Sequence, residues 1–172
     1  MALLKSAFIL ASMLEFQHYP AVSGKGKKIK IAIASGPVII EHGQVLLVKH
    51  GKNNFWKFPG GRLRDDNSIA DNAKREVKEE LGIKIKLIGK PFVVVVERLE
   101  KGEKECVILI HYLAKRLTKR IIPGHDIRKW AWHNINNLPK DCAENIKLAV
   151  KYFQNVWNTP KISTINLLLA TA

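Results

Sequence analysis

The sequence predicts an α+β fold in which helices cover a mixed β-sheet. Three observations predict it: short apolar or β-branched runs typical of strands, two amphipathic segments at helical spacing, and an irregular order of the two with a hairpin signal. The 172 residues suit one domain. A composition of 47% apolar and 26% charged residues excludes wholesale disorder, collagen and coiled coil.

Four runs carry the strand signals. Apolar and polar residues alternate from Ile29 to Ile33, and β-branched or apolar residues fill positions 45–48, 92–96 and 107–113. Lys101-Gly102-Glu103-Lys104 lies between the last two runs and is typical of a turn. We therefore expect the last two strands to form a hairpin.

Two helices are predicted. Ser68 is a suitable N-cap for the first, which should run to about Leu81 and end at Gly82. The second should cover about Ala143 to Trp157. Its predicted core-facing stripe consists of Ile146, Ala149, Val150, Phe153 and Trp157.

The chain divides into three expected segments: residues 1–27 as an apolar N-terminal tail and linker, 28–158 as the folded domain, and 159–172 as a C-terminal tail. Within the first segment, the stretch from Met1 to Phe16 superficially resembles a secretory signal, but Lys5 and the amino terminus are the only positive charges before its apolar core, and no convincing cleavage site follows. It is too short to span a bilayer, so we expect no stable membrane insertion. We expect the C-terminal tail to pack on the domain or to contact another subunit, and a homodimer is therefore a possible assembly.

The charge is strongly positive. The chain has 29 Lys and Arg against 15 Asp and Glu, a formal charge of +14, which favours anionic partners. The charge does not choose among phosphorylated small molecules, RNA, DNA and acidic lipid as partners. A purely solubilising role of the charge is also open. Cys106 and Cys142 lie far apart, so they build neither a disulfide framework nor a thiolate zinc site, and a reducing cytoplasm is the expected compartment.

Three carboxylates cluster on the first predicted helix. At about 100° per residue, Glu76, Glu79 and Glu80 fall in one arc next to the apolar arc. Their mutual repulsion costs stability unless a cation or bases neutralise it, and oxygen ligands at this density suit Mg²⁺ or Mn²⁺ better than zinc. The alternative on helix geometry alone is a solvated charged face, held by i,i+4 pairs with Lys74, Arg75 and Lys78.

The residues before this helix favour a site. Trp56-Lys57-Phe58-Pro59-Gly60-Gly61 is an aromatic run that ends in a glycine pair, where backbone can approach a ligand closely. Together with the helix, this stretch resembles the box of the Nudix hydrolase family, G-x5-E-x7-R-E-U-x-E-E-x-G-U, in which U is a bulky aliphatic residue. Eight of the nine fixed positions match: Gly61, Arg75, Glu76, Val77, Glu79, Glu80, Gly82 and Ile83.

The ninth position differs, because Asn67 stands where the family has its first glutamate. In the family that glutamate supports the box partly through the arginine, and here Asp66 or Asp71 could take its place. The resemblance continues from Asp126 to Trp132 and at Leu138-Pro139, and it covers about residues 28–157. It implies an α/β/α sandwich with the mixed sheet between helices.

The resemblance also implies a chemistry: hydrolysis of a nucleoside diphosphate linked to another moiety, by attack of water at phosphorus, with Mg²⁺ or possibly Mn²⁺. Arg75 would orient the glutamates, and Glu79, Glu80 or Asp126 would act as general base. The implied metal ligands are Gly60, Glu76, Glu79 and Glu80.

The substrate is less defined. Subfamily markers for ADP-ribose, diadenosine polyphosphates and NADH are absent, so a nucleoside triphosphate or modified dNTP is the default. ADP-ribose-like compounds come second and a capped or triphosphorylated RNA end third. The alternative is a catalytically weakened module that binds nucleotide or nucleic acid through its basic surface. His111 should be a packed histidine. Candidate substrate contacts, each with a structural alternative, are Trp56, Arg116, Arg120, Arg128 and Trp130.

Overall fold

The computed structural model describes residues 30–64, 66–100 and 103–158, which form six strands and two helices. The four predicted strands are confirmed, and each is longer than its sequence signal. The turn residues Lys101 and Gly102 and both predicted tails lie outside the described residues. The elements are β1 (Lys30–Glu41), β2 (Gln44–His50), β3 (Gly61–Arg62), α1 (Ile69–Leu81), β4 (Ile85–Glu100), β5 (Glu103–Arg116), β6 (Ile127–Asn134) and α2 (Glu144–Asn158).

The sheet is mixed, as predicted. Its order is β4-β5-β1-β2-β6, with β3 paired to β1. Strands β1 and β5 are parallel, from Lys30 opposite Glu105 to Ile39 opposite Ala114, and the other pairs are antiparallel. Strand β6 was not predicted, because it is an edge strand whose exposed residues Arg128 and Lys129 interrupt the apolar pattern.

Strand β1 changes partner along one of its two edges, and the Pro59–Gly60 backbone lies against β1 where the change occurs. Ala34 and Ser35 pair with β3, whereas Ile40 and Glu41 pair with β2. Pro37 lies between the two pairings, where the missing N–H of proline costs least. Next to it, a Cβ on Gly36 would come within 2.0 Å of the Pro59 oxygen. The Pro59–Gly60 backbone can therefore lie directly against β1.

Two cores lie on opposite faces of the sheet, because successive strand residues point to opposite sides. The predicted α/β/α sandwich is thus confirmed. The core under α2 includes Val38, Val45, Leu47, Trp56, Phe58, Leu113, Ile146, Ala149, Val150 and Phe153. The core under α1 includes Ile39, Leu46, Val48, Val77, Leu81, Ile83, Ile85, Ala114 and Ile127.

Both helices form where the sequence predicts them. Helix α1 has Ser68 as N-cap, whose hydroxyl accepts from the Asp71 amide, and Gly82 ends it in the left-handed conformation at φ 66°. Helix α2 begins at Glu144, one residue later than predicted, and buries its expected stripe as far as Phe153. The side chain of Trp157 is not among those described. Over residues 30–64, 66–100 and 103–158, neither helix has the length and apolar character needed to cross a membrane.

Candidate active site

The last two turns of α1 bring the predicted glutamates next to the glycine pair. Glu80 is only 7% exposed, and its Oε2 accepts a hydrogen bond of 2.9 Å from the Gly60 amide. Gly60 has φ 137°, and a Cβ there would lie 2.6 Å from the Ser35 carbonyl oxygen, so the position requires glycine. The turn therefore presents a backbone amide to a buried carboxylate.

The second glycine leaves room for another glutamate. A Cβ on Gly61 would lie 2.5 Å from Oε2 of Glu76, because that carboxylate lies directly over the Gly61 backbone. The glycine pair thus serves two different carboxylates. Gly60 donates to Glu80, and Gly61 makes space for Glu76.

Arg75 orients two of the glutamates, as the resemblance implies. Its NH1 donates to Glu79 Oε2 at 2.7 Å and its NH2 to Glu76 Oε1 at 2.5 Å. Glu79 is about half exposed, and Arg64 NH2 lies 3.7 Å from its Oε2. The i,i+4 pairing expected of a solvated face is therefore present at Glu79, while Glu80 is buried and bonded to backbone.

The electrostatics single out Glu80. Burial, the largest cause, raises the pKa of its carboxyl to about 7, and the charges of Glu76 and Asp126 act in the same direction. Lys57 and the Gly60 amide lower it, but by less in total. The anionic form of Glu80 is thus disfavoured chiefly because burial removes it from water.

These residues fit a hard divalent cation by their chemistry. Within the residues that the structure describes, no three acidic, His or Cys side chains already converge on one point. Glu76 and Glu79 are held at Arg75, and Glu80 is held at Gly60. Carboxylate oxygens placed this close together are nevertheless the donor set that Mg²⁺ and Mn²⁺ prefer.

A loop after β5 ends α1 and brings in Asp126. The Ile122 amide donates to the Leu81 carbonyl at 2.9 Å and the Gly124 amide to the Glu80 carbonyl at 2.8 Å, which satisfies carbonyls that a helix end leaves open. Gly51 N donates to the Asp126 carbonyl at 2.8 Å. The Asp126 side chain is exposed, and its charge raises the pKa of Glu80, so this predicted candidate does lie near the site.

Two residues near the glutamates were missed by sequence reasoning. His50 Nε2 lies 3.9 Å from Glu80 Oε1, and burial followed by the charge of Lys57 lowers its pKa, against the opposing effects of Asp126 and Glu76. Lys57 also counters the charge of Glu80. His50 is the last residue of β2 and carries no motif, whereas Lys57 stood in the aromatic run before the glycine pair and was not singled out.

Two candidate substrate contacts need correction. Trp56 is 5% exposed and packs in the core under α2, edge-on to His133 at 4.4 Å between ring centroids, so its ring is not available to stack on a base. Arg116 forms a bidentate ion pair with Glu41, donates to the Lys119 carbonyl at 2.9 Å and lies over the Trp132 ring. Its guanidinium therefore holds strands and loop together.

The other candidates lie on the surface. Arg120 is exposed, and Arg128 is exposed while donating at 3.0 Å to the Asn53 carbonyl and to Asn54 Oδ1. Trp130 is 36% exposed on the edge strand.

The two acids proposed to replace the missing box glutamate have their contacts with other residues. Asp71 contacts Ser68 and Lys74, and Asp66 accepts from Asn67.

Comparison with known proteins identifies the family. The family model of the NUDIX domain matches residues 31–153. An 8-oxo-dGTP diphosphatase of Proteus vulgaris is 36% identical over 62 residues, which cover 34% of this chain and 55% of that protein. The human protein nucleoside diphosphate-linked moiety X motif 6 is 45% identical over 53 residues, 29% of this chain and 17% of that protein. The matched segments thus span about half or less of these relatives.

Solved structures agree on the fold. The MutT protein from Methanosarcina mazei Go1 superposes with a TM-score of 0.62 at 20% identity, over 75% of this chain and 96% of that one. A likeness at that identity speaks for the architecture alone. With the family model matching well over half of the chain, and with the box residues arranged as described, the chain belongs to the Nudix hydrolase family.

Proposed function

We propose that this protein is a hydrolase that depends on Mg²⁺ or Mn²⁺ and cleaves a phosphoanhydride bond in a nucleoside diphosphate linked to another moiety. The observation that carries the proposal is Glu80: a nearly buried carboxylate, bonded to the Gly60 amide and facing the charges of Glu76 and Asp126. A fold gains no stability from placing other acids beside a buried carboxylate, whereas a catalytic metal site requires such an arrangement.

The roles follow from the contacts. When bound, Mg²⁺ or Mn²⁺ would neutralise the diphosphate and lower the pKa of an attacking water. Glu76, Glu79, Glu80 and the Gly60 backbone would hold it. Arg75 keeps two of the carboxylates in place between turnovers. Glu80, which the Gly60 amide holds in place beside Glu76, is our preferred general base, with Glu79 and Asp126 as alternatives.

Basic residues around the site would bind the substrate phosphates. Lys57 lowers the pKa of Glu80, His50 Nε2 lies 3.9 Å from Glu80 Oε1, and Arg120 and Arg128 are exposed. Lys57 acts on the charge of Glu80 already, so a phosphate held there would lie next to the catalytic carboxylates. We therefore add Lys57 and His50 to the substrate contacts and leave out Trp56 and Arg116.

A nucleoside triphosphate or modified dNTP is the proposed substrate class, cleaved to monophosphate and pyrophosphate. The Proteus vulgaris relative is named an 8-oxo-dGTP diphosphatase, which agrees with this choice. ADP-ribose-like compounds are the second candidate substrate class, and RNA ends are the third. We propose the cytoplasm as the compartment, on the small number and wide separation of the cysteines.

The test is a nucleotide panel with Mg²⁺, with product identification and a parallel series in excess chelator. Glu79→Gln and Glu80→Gln should abolish release of phosphate or pyrophosphate, whereas Glu144→Gln, the same change at an exposed position on α2, should leave it unchanged. Turnover that survives chelation, or that survives Glu80→Gln, would contradict the proposed site.

A binding module without turnover is the second candidate. Arg75 holds two of the three glutamates, and the formal charge of +14 favours nucleic acid. Salt-sensitive RNA or DNA binding that survives both glutamate substitutions, with no turnover on the full panel, would select this candidate.

A further inference from the structure

Asn72 is a fully buried polar residue on the same side of α1 as the glutamates. It lies one turn before Glu76 and has 0% exposure. Unlike most polar residues on a helix, it directs all of its side-chain groups into contacts within the protein. A buried amide is retained only where its hydrogen bonds are made, so its partners indicate its role.

Those partners connect the helix to the sheet. Asn72 Nδ2 donates to Ser35 Oγ on β1 at 2.9 Å and to the Gly61 carbonyl on β3 at 3.2 Å. Ser35 Oγ in turn donates to the Ile69 carbonyl in the first turn of α1 at 2.8 Å. Ser35 is 2% exposed, so water does not compete for these bonds.

The remaining atom of the amide faces Arg75. Arg75 NH2 donates to Asn72 Oδ1 at 2.6 Å, and since arginine can only donate, the orientation of the amide is fixed by its surroundings. The other two partners of Arg75 among the described residues are Glu76 and Glu79, both candidate metal ligands. Arg75 Nε is buried, and within the described residues it has no hydrogen-bond partner.

Asn72 is therefore the partner that can hold Arg75 when a cation takes the two glutamates. We propose that Asn72, anchored by Ser35, is the positioning residue of the metal site and takes over the support of Arg75 at a box whose first glutamate is replaced by Asn67. Asn67 itself bonds to Asp66 and to the Arg64 carbonyl. The inference rests on the proposed metal site, but it concerns which residue holds that site in shape.

Two measurements on the full chain test it: Mn²⁺ affinity by electron paramagnetic resonance, and the Arg75 Nε–H signal in ¹⁵N NMR spectra, assigned with Arg75→Lys. Asn72→Ala should weaken Mn²⁺ binding about 10–100-fold, the usual effect of losing a residue that orients metal ligands. It should also broaden or shift the Arg75 signal. Asn67→Ala, the matched control at the box position, should change the affinity less than twofold and leave the Arg75 signal in place.

Ser35→Ala keeps the test decisive if Asn72→Ala does not fold. It removes only the hydroxyl that anchors Asn72, and it should change both readouts in the same direction by a smaller amount. The proposal is overturned if the variants that fold bind Mn²⁺ within twofold of wild type with an unchanged Arg75 signal, or if Asn67→Ala has the larger effect. Failure of wild type to bind Mn²⁺ would instead contradict the proposed function, and the Arg75 signal would still decide the role of Asn72.

Discussion

Glu80 on the α1 face and His111 on the α2 face are both buried and titratable, and burial shifts both towards their neutral forms. The pKa of Glu80 is raised to about 7, and that of His111 is lowered to about 4. Their surroundings differ. His111 Nε2 lies 2.9 Å from Asn145 Nδ2, and its ring packs edge-on against Phe58. Glu80 faces two further carboxylates.

The difference separates a structural group from a functional one. Neutral His111 lies against a neutral amide and an aromatic ring, and within the described residues no charged group is among the causes that shift its pKa. The Glu80 carboxylate is removed from water and repelled by Glu76 and Asp126, which Lys57 and the Gly60 amide offset only in part, and a bound cation or proton relieves both costs. The two side chains are buried to a similar degree, but burial indicates a structural role for His111 and a functional role for Glu80.

Replacing Glu80 should have the largest effect. Glu80→Gln should lower kcat by about 10²–10⁴-fold, the range for loss of a positioned general base. In excess chelator at pH 8 the same change should raise the free energy of unfolding, since a neutral amide is cheaper to bury than a carboxylate. Steady-state kinetics and urea unfolding measure the two effects. An unchanged kcat would contradict the catalytic assignment.

Replacing His111 should lower stability and leave catalysis nearly unchanged. His111→Ala should lower the free energy of unfolding by about 3–5 kcal/mol, because it leaves a cavity against Phe58 and an unsatisfied amide on Asn145. The kcat of the fraction that remains folded should stay within about threefold of wild type. A selective loss of kcat with unchanged stability would place His111 in the catalytic site and contradict the comparison.

The pH dependence of stability, measured in excess chelator, sharpens the contrast. The contribution of Glu80 to stability is present below its unfolded pKa of 4.5 and is lost as the pH rises through its folded pKa of about 7. The contribution of His111 is present above its unfolded pKa of 6.5 and is lost as the pH falls through its folded pKa of about 4. Each contributes roughly 3 kcal/mol at its limit. Subtracting the curve of Glu80→Gln or of His111→Ala from wild type should isolate slopes of opposite sign, and equal signs would contradict the assignment.

Sequence reasoning recovered the fold through short-range signals. The box spacing, the caps at Ser68 and Gly82 and the apolar periodicities depend on neighbours in the chain, and the structure confirms the helices and strands they predict. Asn72 lies only about 40° from Glu76 around the helix axis, so the helical projection that grouped the glutamates contained it. The projection does not mark it as buried, because amides are usually surface residues.

The remaining differences depend on tertiary contacts. His50 and Lys57 reach the site because β2 and its following loop lie beside α1, which no local pattern encodes. The same holds for Arg116, whose basic character predicted a phosphate contact but whose partner Glu41 lies 75 residues earlier in the chain. Charge alone does not distinguish a binding arginine from a structural one.

The two arginines should show the smallest effects. Arg116→Ala should lower the free energy of unfolding by about 1–3 kcal/mol with KM unchanged, because Glu41 loses its partner. Arg120→Ala should leave stability unchanged and raise KM a few-fold if Arg120 contacts substrate phosphate. Urea unfolding and initial-rate kinetics on both variants give the comparison. A raised KM in Arg116→Ala alone would return that residue to the substrate site.

The most direct test of the account is a crystal soaked in Mn²⁺ and measured for anomalous scattering. We expect an anomalous peak within bonding distance of Glu80 and of at least one of Glu76 and Glu79, with Arg75 turned to Asn72. Clear electron density for the glutamates without any anomalous peak, and with Glu76 and Glu79 still bonded to Arg75, would contradict the claim that these carboxylates form a metal site.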